Sequence, residues 1–406
     1  MDDDRLREIL DSPLDDEPRS GGRWVAGALG GVAAVVLVAV LVTRGDDSQQ
    51  APVVSDTEVA ATTTADAPTT EHPPGEVGVP DARFGAQVVF HPPTGQLVMI
   101  GGGEPLDNGR IGGLAADTWT LETSEWVWRA HGPEGLPPRI GHAAAADGNS
   151  ERIVVFGGST EGPRICGMTG PCTGEGLDDT WLFDPATGTW EQTFPEVAPS
   201  PRYGTAMAFD EESGLMVLFG GGLRTAGFSN TTYADTWVFD SATTTWTEIE
   251  TDVAPSARAW HHMAYDPGTD RIILLGGASR DELDAVAWSF DANTTTWEPL
   301  ADEGPISRWG AAIAIDGSSR QLTVVGGQGA VVRQIGTAGT ATEIRFLDEM
   351  WTYDLDSGTW EELNPLVGPV FWTSAAYDPA TGRFVTTNAV LDIVTGEWIL
   401  HGEDPG

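Results

Sequence analysis

The chain has no lysine: all 21 of its basic residues are arginine, set against 61 Asp and Glu. A formal charge of −40 repels a phosphate backbone, so nucleic acid is not an expected partner. Acidity of this kind serves solubility; a diffuse cation-collecting surface is the sharper alternative. Cysteine is nearly absent, with only Cys166 and Cys172 in the run CGMTGPC. Two thiolates without a nearby His or a second pair do not fill a tetrahedral shell, so no metal site is expected there. Gly and Pro between them favour a turn, and in an oxidising compartment the pair is expected to close a small loop disulfide. G-x-S-x-G, P-loop and H-E-x-x-H signatures are missing, so neither catalytic residues nor a cofactor are assigned.

Long hydrophobic runs are also missing, with one exception. Trp24 to Thr43 carries no charge. Twenty residues at ~1.5 Å rise cover ~30 Å, the thickness of a bilayer core. Arg5, Arg7, Arg19 and Arg23 precede the run, whereas Asp46 and Asp47 follow Arg44 just after it. The excess of Arg before the span predicts a cytoplasmic tail over 1–23, a transmembrane helix over 24–43 and an extracytoplasmic remainder. A cleaved signal peptide is the competing reading; the long leader and the lack of an A-x-A site favour an uncleaved anchor. Residues 44–80 are rich in Thr, Ala, Pro and acids and poor in large apolar residues. That composition cannot bury a core and reads as a disordered linker.

What is plentiful is Trp, at 16, with 51 Gly and 27 Pro. Such usage implies many short strands punctuated by turns. From Arg83 onward the chain repeats itself. Each unit opens with a small-residue strand: RFGAQVVF, RIGHAAAA, RYGTAMAF, RAWHHMAY and RWGAAIAI, starting at Arg83, Arg139, Arg202, Arg258 and Arg308. A second strand ends in a Gly pair, as in IVVFGG. A third carries Trp, as in DTWLFD, and a fourth carries another Trp nine residues later in all five units. A sixth unit, from Val370 to Trp398, lacks the Gly pair and the first Trp. Four strands at a period near 50 residues match the arithmetic of a propeller blade.

The opening Arg-x-Gly, the Gly pair and the paired aromatics resemble kelch repeats, which also form the propeller of galactose oxidase and of bacterial sialic acid mutarotases. The resemblance covers Asp81 to His401. It implies an all-β fold, a six-bladed kelch-type β-propeller over residues 81–401 with a degenerate sixth blade. A strand from the Gly75–Asp81 region is a candidate to complete that blade. Copper radical chemistry of the galactose oxidase kind is not expected: no Tyr-His dipeptide occurs, and the only cysteines sit together.

Strand order puts the second-to-third-strand loops and the fourth-to-first connections on one face. The long, unequal loops at Ser159–Asp178 and Gln328–Asp348 make that face the candidate for ligand recognition. Arg83, Arg139, Arg202, Arg258 and Arg308 start the innermost strands and are expected to circle the pore mouth. They are candidate ligand-binding residues; pairing with an Asp of the next blade is the structural alternative. His142 and His261 share a repeat position and are expected to be polar fillers near the pore. The resulting functional expectation is a binding module for a protein, peptide or glycan. The alternative is a carbohydrate-active enzyme of the mutarotase type, with Arg and acids such as Asp107, Glu175, Glu343 and Glu349 converging on the pore.

Overall fold

The computed structural model describes residues 73–105, 111–132, 134–160, 176–225, 229–278, 286–301, 304–305, 307–335, 339–363, 374–387, 389–392 and 398–400. The hydrophobic run 24–43, the tail before it, Cys166 and Cys172 lie outside the described residues. Every regular element among the described residues is a strand, and among them no helix is long and apolar enough to cross a membrane.

Each repeat folds into its own antiparallel sheet of four strands, in chain order across the sheet. The second repeat is representative, with Ala143–Asp147, Arg152–Phe156, Thr180–Asp184 and Thr189–Thr193. The turns follow from their residues. Asp184 accepts from the backbone N–H of Ala186 and Thr187 through its side chain, and from Gly188 N–H through its carbonyl. Gly188 supplies the left-handed φ of +69° that closes the turn. Thr244 and Thr295 hold the same place in repeats three and four at φ of +54° and +56°.

The second strands are continuously apolar and buried; Ile153, Val154, Val155 and Phe156 are inaccessible to solvent. They sit mid-sheet with a neighbouring sheet on each face, so alternation gives way to an apolar run. The first strands of consecutive repeats lie against one another from repeat one to repeat six, and the first strand of repeat six lies against that of repeat one. Sheets one and six share an apolar cluster in which Ala86, Val88 and Leu97 meet Ala376, Val385 and Val390. Arg383 of repeat six also stacks over the Trp126 ring of repeat one at 4.9 Å.

Two features differ from expectation. Sheet six is built from its own four strands, Ala375–Asp378, Arg383–Thr386, Ala389–Asp392 and Trp398–Leu400. Its set is complete, so it offers no vacancy to the Gly75–Asp81 segment. Val77–Gly78 instead pairs with Val127–Ala130 and adds a fifth strand to the outer edge of sheet one. The second-to-third-strand connections also differ where they are described; residues 161–175 of the long stretch Ser159–Asp178 lie outside the described residues. In repeats one, three and five these connections are two-stranded hairpins: Gly103–Pro105 with Ile111–Leu114, Gly222–Thr225 with Ser229–Thr232, and Gln328–Ile335 with Gly339–Phe346.

Candidate binding face and channel mouth

Each opening Arg is buried, at most 3% exposed. Arg202 is representative. Its Nε donates to the Ser200 carbonyl at 2.9 Å, and its Nη1 donates to the Gly220 carbonyl at 2.9 Å and to Asp235 at 2.7 Å. Nη2 donates to the second Asp235 oxygen at 2.8 Å, giving the bidentate pairing a planar guanidinium favours. Trp237 Nε1 donates to the same carboxylate at 2.8 Å. The set recurs with Arg83 on Asp117, Arg139 on Asp179 and Arg308 on Glu349. Burial works against the charge of Asp179, but the Arg139 guanidinium outweighs it and holds the carboxyl below its ordinary range. Repeat four has Val286 two residues before its Trp, where the others have the acid. There Arg258 donates to the Ser256 hydroxyl at 2.9 Å and the Gly276 carbonyl at 3.0 Å.

These bonds stay within one repeat, whereas the pairing weighed from the sequence ran between neighbouring blades. The reason is local. The acid stands two residues before the third-strand Trp, and the third strand lies beside the second, whose Gly carbonyl the same Arg already engages. None of the five Arg lines the central cavity. Glu349 belongs to this pairing. Glu343 falls in the hairpin strand Gly339–Phe346, and Asp107 and Glu175 lie outside the described residues. Among the described residues no three His, Cys, Asp or Glu are placed to hold a metal.

The Gly pairs join one repeat to the next. Gly221 N–H donates to the Arg258 carbonyl at 2.8 Å, and a Cβ on Gly220 would stand 2.7 Å from that oxygen. Here, with φ of +59° at Gly220, only glycine fits without a shift.

A cavity of about 520 Å³ runs between the first strands of all six repeats. At one end it meets Phe90, Phe209, Tyr265, Ile315 and Tyr377, and Ala is the commonest residue of its wall. At the other end, on the hairpin face, a chain of backbone bonds runs from repeat to repeat. Gly141 N–H donates to Gly85, Gly204 to Gly141, Trp260 to Gly204 and Gly310 to Trp260, at 2.7 to 3.1 Å. Four of these five positions are Gly with φ between +63° and +65°; the fifth is Trp260, with φ of +62°.

His142 and His261 occupy the next position and are fully enclosed. His261 packs edge-on against Phe219 of the preceding repeat, with ring centroids 5.5 Å apart. Among the described residues neither ring nitrogen of His142 has a hydrogen-bond partner. Burial, reinforced by Arg139, pushes the His142 pKa down to about 3. Burial also lowers that of His262, to about 4. Both repeat-position His stand near the pore, as their shared place in the repeat predicts, whereas the signal for Trp260 is a Trp where the other repeats carry Gly.

The pattern of the KLHDC2/KLHL20/DRC7 Kelch-repeats domain matches residues 31–277. The chain belongs to this kelch-repeat family. Similar proteins include the Rab9 effector protein with kelch motifs of Homo sapiens, 29% identical over 214 residues, which cover 50% of this chain and 50% of that protein. Adagio-like protein 3 of Oryza sativa subsp. japonica is 26% identical over 224 residues, 53% of this chain and 32% of that one. The host cell factor homolog hcf-1 of Caenorhabditis elegans is 25% identical over 253 residues, 56% of this chain and 30% of that one. The chain therefore spans about a third to a half of the length of these kelch relatives. Kelch repeats five and six lie beyond the matched span and rest on their sheets and motifs.

Proposed function

We propose that this chain is a membrane-tethered, six-bladed kelch propeller that binds a polypeptide partner on its hairpin face. The observation that carries the reading is the set of three hairpins of unequal length, raised from one face of a repeating scaffold. Uneven recognition elements on a regular frame suit the binding of one partner. The cyclic order of the first strands and the cluster shared by sheets one and six support six blades closed into a ring. A similar protein is named as an effector of Rab9, which favours a polypeptide over a glycan. In this reading the five repeated Arg serve the scaffold. The uncharged run 24–43 and the Arg before it support a single-pass anchor, with the N-terminus cytoplasmic and the propeller outside, where Cys166 and Cys172 form a disulfide.

The test is cross-linking of the full chain in its native membranes, beside a chain in which residues 328–346 are shortened to a tight turn. A protein cross-link lost on shortening, at unchanged melting temperature, is the expected outcome. Identical cross-links from both chains, or a captured glycan in place of a protein, would overturn the reading. Protection of the propeller from protease added outside spheroplasts would overturn the topology.

A further inference from the structure

Trp260 breaks the pattern of its own repeat. Repeats one, two, three and five place Gly at this position, in the left-handed region that a bulky side chain enters only at a cost. The strain is held in place from both sides. Trp260 N–H donates to the Gly204 carbonyl at 2.7 Å, and its own carbonyl accepts from Gly310 at 2.9 Å. The indole lies across the mouth: its ring atoms stand 3.0 Å from where a Cβ on Gly204 would be, and 2.7 Å from one on Gly141. Those two glycines make room for the ring. Tyr203 stands beside it, centroids 5.9 Å apart and planes inclined by 44°. Both rings are half-buried, so together they form an aromatic notch at the end of the cavity that faces the hairpins.

We propose that this notch recognises an arginine side chain of the polypeptide partner; the inference rests on the protein-binding reading above. An indole face is the best aromatic acceptor of a cation, and the flat, weakly hydrated guanidinium stacks where an ammonium does not. The charge of the chain points the same way. Arg83, Arg139, Arg202 and Arg308 are each matched by a carboxylate of their own repeat. With a formal charge of −40, the whole molecule attracts a basic segment to its surface. The notch then selects Arg among cations by shape rather than by charge.

The experiment titrates the full chain with tetra-arginine amide, tetra-lysine amide and chitotetraose. It is run at about 0.5 M salt, where screening within ~4 Å suppresses the diffuse acidic attraction. The expected result is a preference for tetra-arginine over tetra-lysine of about fivefold. Trp260→Gly abolishes that preference by weakening tetra-arginine binding more than tetra-lysine binding, and Trp260→Phe keeps part of it. Trp260→Gly restores the residue found in four other repeats, so its melting temperature is expected at or above that of the parent. Trp260→Asn, which also tolerates this backbone conformation, is the second variant. Equal binding of the two cationic peptides, or an Arg preference that survives in Trp260→Gly and Trp260→Asn, overturns the proposal. So does Trp260-dependent binding of chitotetraose alone. An Arg preference in a chain that cross-links to no protein keeps the notch and sinks the broader reading, so the two failures are distinguishable.

Discussion

Among the described residues His142 has no hydrogen-bond partner for either ring nitrogen, and it is fully buried. A charged imidazolium there lacks both compensations for leaving solvent, which is why its pKa falls from 6.5 to about 3. The sign for stability follows. The unfolded chain binds this proton near pH 6.5 and the folded chain only near pH 3, so the contribution is complete above pH 6.5 and is lost as pH falls between the two. His262, with its pKa near 4, adds in the same direction. Urea denaturation at intervals across that range should show a falling midpoint, with on the order of 4 kcal/mol attributable to His142 at its lower end. Thr205 holds the equivalent place in repeat three and donates to the Phe219 carbonyl at 2.8 Å. His142→Thr is expected to flatten part of the pH slope; an unchanged slope would show that the carboxylates alone govern acid unfolding.

At the scale of the element, the kelch repeat is a small bonding circuit as well as a sheet. One guanidinium ties the approach to the first strand, the end of the second strand and the acid before the third-strand Trp. The fourth-strand Trp then reaches outward: Trp246 Nε1 donates to Thr180 of the preceding repeat at 2.9 Å, and Trp297 to Thr236 at 3.0 Å. The Gly pair carries the remaining link. Gly220→Ala would drive a methyl group into the Arg258 carbonyl and force Ala to a φ of +59°. A loss of about 2–4 kcal/mol is expected from strain and steric displacement together, read as a lower melting temperature. A loss no larger than that of an Ala substitution in an exposed turn would mean that the link is slack. Much of this was legible in the residues, because strand breaks, Gly pairs and Trp spacing are local and recur five times. The destination of each Arg was not, because it depends on which strand lies beside which. The hairpins are hard to read because QGAVVRQI and GTATEIRF carry neither the Gly pair nor the Trp that mark the other strands, although the short Gly-containing stretch 336–338 between them is a hairpin signal. Trp260 was hidden by the strength of the pattern it breaks.

At the scale of the molecule, the sheets depend on one another for burial. Ala86 and Val88 of repeat one are covered by Ala376 and Val385 of repeat six, which stand 288 to 299 residues further along the chain; the Ser374 hydroxyl bonds the Val88 carbonyl across a separation of 286 residues. Cutting the chain before residue 374 removes that cover from repeat one. The shortened chain is expected to lose its single cooperative melting transition and to bind a hydrophobic dye, since an uncovered sheet face of this kind does not persist in water. A cooperative transition at the parent temperature would show that repeats one to five are self-sufficient.

The fifth strand of sheet one gives the molecule a mechanical polarity. Val77–Gly78 pairs along the outer edge, helped by Gly75 N–H on the Ala130 carbonyl and Ala130 N–H on the Glu76 carbonyl. A pull from the residues before Pro73 therefore arrives at the rim and loads these few bonds one after another, as in opening a zipper. The first strands around the cavity feel the load last. In the proposed tethered arrangement, tension detaches the rim strand first while the hairpin face keeps its shape, so that strand acts as a fuse for the sheets behind it.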